Sequence, residues 1–86
     1  APERSSLAEI LEDRMLALFN KRQQLAIEQP RASASQVYFS EYLQRGKELS
    51  RGILIALYLY NRVTGKDNKL EDVLQQVAQQ RRLMDI

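Results

Sequence analysis

The sequence predicts an all-α protein, a small antiparallel bundle of three long helices or four shorter ones. Three observations carry that expectation. Apolar residues recur at helical spacing in separate stretches of the 86-residue chain. Capping-box patterns open the first two of those stretches. The one apolar run that suits a strand, Ile53–Tyr60, has no second strand to pair with, and a lone strand leaves its ladder groups unsatisfied.

The first helix is expected to start at Ser6-Leu7-Ala8-Glu9, where the Ser6 hydroxyl can accept from the amide three residues on. Leu7, Ile10, Leu11, Met15, Leu18, Phe19, Arg22, Leu25 and Ala26 follow on one face. Early Glu9, Glu12 and Asp13 and late Lys21 and Arg22 suit the helix dipole. Pro30 disfavours helical geometry at Gln29, so the helix should end near there. Leu16 and Ile27 fall off the stripe. They are candidates for a second contact face, with scattered exposed apolar side chains as the plain alternative.

The second helical region opens in the Ser33-Ala34-Ser35-Gln36 cluster, where either serine suits the cap. Tyr38, Phe39, Tyr42, Leu43 and Leu49 share a face, and Gly46 lies on it. A glycine there costs about 1 kcal/mol of helix propensity against alanine. With Gly52 it leaves two readings of residues 34–63: one long helix with two weak points, or two helices hinged near 46–52. Thr64-Gly65 reads as the helix end, with glycine at the left-handed position.

The run Ile53–Tyr60 places apolar groups all round a helix. It is eight residues long, and crossing a bilayer takes about 20. A helix that is apolar all round must be covered all round, and two neighbours in a protein this small cannot wrap a third helix. Some of Leu54, Ile55, Tyr58 and Leu59 should therefore stay uncovered and mark an interface.

The last helix is expected after Asn68-Lys69-Leu70-Glu71, with Asn68 as cap. Leu70, Val73, Leu74, Val77, Ala78 and Met84 form its stripe, and Gln75, Gln76, Gln79 and Gln80 the other side.

Composition narrows the chemistry. The chain has no cysteine and no histidine, which removes thiol nucleophiles, zinc-thiolate sites and the commonest general base. No metal site, cofactor or glycine-rich phosphate loop is expected. Residues 1–5 read as a linker or flexible N-terminus and 6–86 as a single helical domain. The opening Ala1-Pro2-Glu3-Arg4 is expected of a processed chain or of a domain cut from a longer one.

The favoured function is therefore a non-enzymatic protein-interaction or oligomerisation module, with a homodimer or a partner protein on Leu54, Ile55, Tyr58, Leu59, Leu16 and Ile27. The alternative is nucleic-acid binding. All of the positive excess lies in residues 31–66, where Arg45, Lys47, Arg51 and Arg62 are the candidate phosphate contacts. No finger, homeodomain or basic-zipper pattern accompanies them.

Finally, Leu11–Ala26 resembles the first helix of the all-helical chorismate mutases, small enzymes that bind a dicarboxylate with basic side chains. That resemblance implies a ligand-binding role for Arg22. It stops where Pro30 stands in place of a continuing helix, and no Arg-Glu pair opens the second helix around 33–43.

Overall fold

The computed structural model describes residues 6–84, with side chains up to Arg81. The expected linker at 1–5 and the Met84 side chain lie outside the described residues. Among those described, the chain forms three helices, α1 (Leu7–Ile27), α2 (Gln36–Thr64) and α3 (Leu70–Met84), and no strand. The count is three, because Gly46 and Gly52 do not break α2.

The caps explain the boundaries. Ser6 sits in extended geometry and its side chain accepts from the Glu9 amide at 3.1 Å. Ser35, not Ser33, does the same for Tyr38. Gly65 closes α2 at φ 71°, where an L side chain is strained, and its amide donates to the Asn61 carbonyl at 2.9 Å. Asn68 departs from its expected capping role. Its backbone amide and its side-chain amide both donate to Asn61 Oδ1, at 2.8 and 2.9 Å, and Asn61 Nδ2 donates to the Asn68 carbonyl at 3.2 Å. Three bonds thus tie the start of α3 to the last turns of α2.

Packing is dominated by α1 against α2. The buried residues of α1 are Leu11, Met15, Leu18 and Leu25, spaced four, three and seven apart, with Arg22 at the intervening place. The facing residues of α2 are Tyr42, Gly46, Leu49, Ile53, Ala56 and Tyr60, again alternating four and three. That spacing keeps one seam of each helix against the other. Contacts run in opposite numerical order: Leu25 meets Gly46, Arg22 meets Ser50, Leu18 meets Gly52 and Glu12 meets Tyr60. Both glycines lie in this seam, and Gly52 is the one where a side chain would crowd it. A β-carbon on Gly46 would stand 3.6 Å from Leu25 Cδ2, and one on Gly52 only 3.0 Å from Leu18 Cδ1.

The third helix adds Val73 and Val77 to the core formed by Leu11, Met15, Ala56 and Tyr60, and Leu70 and Leu74 pack against it. Arg81 pairs with Asp13 across an exposed edge. Met15, Ile53 and Val73 are the largest side chains fully buried.

Because α2 has 29 residues and α1 has 21, its first two turns overhang. Val37, Tyr38, Phe39 and Leu43 are consequently exposed, although Tyr38, Phe39 and Leu43 were expected to share the packed face of Tyr42. Phe39 and Tyr42 pair with each other instead, their rings 6.2 Å apart and tilted by 40°.

Candidate functional site

The run Ile53–Tyr60 divides sharply. Ile53, Ala56 and Tyr60 are buried, the last two in one cluster with residues of α1 and α3, and Leu57 packs at the margin of that core. Leu54, Ile55, Tyr58 and Leu59 remain 44–63% exposed. Val63, which the sequence reading did not single out, continues the same surface. At 3.6 residues per turn, Leu54, Tyr58, Ile55, Leu59 and Val63 fan over roughly 180° of α2, with Ile55 near the middle. A row of large apolar side chains on one helix is more than the scattered exposure normal for a surface.

The two α1 candidates behave differently from each other. Leu16 is half-buried and packs against the core cluster that all three helices build. It therefore contributes to the packing of the core. Ile27 is 77% exposed in the last turn of α1. The α2 surface stands level with Glu12 to Leu18, so Ile27 lies about 13 Å beyond it along the helix. The structure does not bring Ile27 into that surface.

The basic candidates do not form one patch. Lys47 and Arg51 line an open groove of about 630 Å³ between α1 and α2, with Leu25, Leu43, Ser50 and Leu54. Arg22 joins them there, a residue that sequence reasoning had not grouped with them. The available signal was a cation at a seam position of α1. Its guanidinium lies 5.4 Å from the Phe19 ring centre and donates to Ser50 Oγ at 3.4 Å. Arg45 faces away, beside Glu28 and Glu41. Arg62 lies over the Tyr58 ring at 6.0 Å, within the apolar surface.

Among the described residues, no cluster of three or more metal-ligating side chains occurs, and no helix is long and apolar enough to cross a membrane. Tyr60 has a displaced acidity. Burial, then its hydrogen bond to Glu12 and the charge of that carboxylate, push its hydroxyl above the ordinary 10.0. That group ties α1 to α2.

No protein-family model matches the chain, and no curated protein or solved structure does so either.

Proposed function

We propose that the chain is a non-enzymatic interaction and oligomerisation module that presents the outer face of α2 to a protein partner. One observation carries this reading. The inner side of residues 53–60 is fully packed, while Leu54, Ile55, Tyr58 and Leu59 on the outer side stay open. Apolar surface of this kind is favourable to remove from water and is the usual core of an interface.

The scaffold in this reading is an antiparallel three-helix arrangement. The opposed order of the α1–α2 contacts supports it, as do the short connections at 28–35 and 65–69. A rigid helix displayed on such a scaffold needs no further chemistry to bind another helix.

The test is affinity capture with the wild-type chain and with Leu54→Glu, each with and without nuclease, while circular dichroism follows helix content. The reading expects protein capture that survives nuclease and is lost in the variant at unchanged helicity. Capture that ignores Leu54→Glu overturns it. So does a variant that unfolds, because Leu54 would then be part of the core.

A second reading, nucleic-acid binding, draws support from the groove shared by Arg22, Lys47 and Arg51. It expects recovery that disappears with nuclease and weakens steeply as salt rises.

A further inference from the structure

The proposed function leaves the occupant of the α2 face open; resting on that reading, we infer that the occupant is a second copy of this chain. The two α2 helices run in opposite directions about a two-fold axis that passes beside Ile55.

The chain exposes 7079 Å² of surface, whereas a compact monomer of its 10.0 kDa mass exposes about 5,200 Å². Its radius of gyration is 15.9 Å, against about 12 Å for a compact domain of this length. The surplus is about 1,800 Å². Half of it already exceeds the ~800 Å² that each partner buries in a standard interface. The principal extents of 55 × 31 × 22 Å describe an elongated shape with a long flank open to a second copy. Docking a second rod alongside buries part of that surplus.

A two-fold interface must complement itself, so each residue i that meets j requires j to meet i. The outer face of α2 satisfies this about Ile55. Glu48 lies seven residues before it and Arg62 seven residues after, and both project on its side of the helix. Opposed helices crossing at Ile55 set each Glu48 level with Arg62 of the second copy. The same register brings Arg51 of one copy beside Tyr58 and Leu59 of the other, where a guanidinium can rest on an aromatic face. Running the helices in the same direction does the reverse, since Arg51 meets Arg51 and Arg62 meets Arg62. Like charges face to face are costly as water leaves, so the opposed arrangement is selected.

The apolar centre is consistent with that axis. Leu54, Ile55, Tyr58 and Leu59 flank the crossing point, and the charged pairs fall at either end. This is the usual layout of an apolar interface core with a polar rim.

The test uses the full chain. Its lack of cysteine makes an introduced thiol unique. Ile55→Cys, air-oxidised in dilute solution, should give a covalent dimer, because the axis brings the two thiols together. Lys66→Cys, in the exposed connection after α2, serves as the control. Its thiols would lie about 30 Å apart in the dimer and should remain free. Sedimentation equilibrium should give twice the 10.0 kDa chain mass for wild type. Glu48→Arg should weaken dimerisation at least about tenfold, and the double variant Glu48→Arg/Arg62→Glu should restore it. A wild-type chain that sediments as a monomer overturns the inference, as does equal cross-linking of both cysteine variants. A dimer unaffected by Glu48→Arg overturns the opposed register. If wild type is a monomer while Leu54-sensitive capture of a different protein persists, the second copy is excluded and the interaction module stands. If both association and capture are absent, the interaction reading itself falls.

Discussion

The hydroxyl of Tyr60 donates a 2.9 Å hydrogen bond to Oε2 of Glu12, joining two helices across 48 positions of sequence. The ring is buried in the core while the carboxylate sits at its edge, so one side chain serves both the apolar packing and the polar seam. Replacing Tyr60 by Phe keeps the packing and removes the bond. The expected loss is about 1 kcal/mol, read from the denaturant midpoint. The pH dependence has a defined sign. The folded chain holds this proton more tightly than the unfolded chain. The stabilisation is therefore complete below the ordinary value of 10.0 and is lost as pH rises through the higher folded value. Wild type should lose more stability than Tyr60→Phe on going above pH 10. Parallel pH profiles for the two proteins would contradict this account.

The two glycines of the α1–α2 seam should respond differently to alanine. At Gly46 the new methyl group would meet Leu25 at an ordinary contact distance. Gly46→Ala should therefore raise stability by roughly 0.5–1 kcal/mol through helix propensity. At Gly52 the methyl would press on Leu18, itself buried. Gly52→Ala should gain less than Gly46→Ala or lose stability. Gly52→Val should cost about 1–3 kcal/mol by overpacking. Thermal denaturation of the three variants gives the order directly.

Asn61 should control how firmly α3 is held. Its side chain serves both the amides and the carbonyl of Asn68. Asn61→Ala removes all three bonds and should destabilise the protein by about 1–3 kcal/mol. Asn61→Asp keeps the acceptor but leaves the Asn68 carbonyl without its donor, so a smaller loss is expected. Amide hydrogen exchange localises the effect. Protection should fall in residues 70–81 before it falls in α1 or the centre of α2.

The Arg81–Asp13 pair should matter little. Both side chains are more than half exposed, and such pairs contribute about 0–1 kcal/mol. Asp13→Asn should shift the denaturation midpoint slightly at low salt and not at all at high salt. A large, salt-independent loss would show that Asp13 has a role beyond this pair.

Much of the helix pattern was legible because it is local. Ser6, Ser35 and Gly65 mark their ends through side-chain oxygens or a left-handed backbone, which require no distant partner. The seam was harder to read. Gly46, Gly52 and Ala56 carry little or no side chain, so they add almost nothing to a hydrophobic stripe although α1 lies against them. Tyr38, Phe39 and Leu43 looked like core because their spacing is right, but α1 ends before it can cover them. Leu16 goes the other way, since it packs against a core that three separate helices build together. Asn68 has the chemistry of a cap and uses it on Asn61 instead. In the candidate surface, the open residues of 53–60 followed from a simple limit on how many neighbours a small protein supplies. The grouping of Arg22 with Lys47 and Arg51 depends on pairing two distant helices, which no local pattern encodes.

The Arg22–Ser50 contact also bears on uniqueness. Residues spaced by sevens let a pair of helices slide by one repeat and still bury apolar groups. Such a slide would carry Arg22 from Ser50 to Leu43 or Leu57, whose own side chains cannot accept from it. It would also move Leu18 from the clearance at Gly52 to Arg45 or Leu59. One polar contact and one missing β-carbon thus act as a notch and key, admitting a single seating of α1 on α2 among several that hydrophobic spacing alone would tolerate.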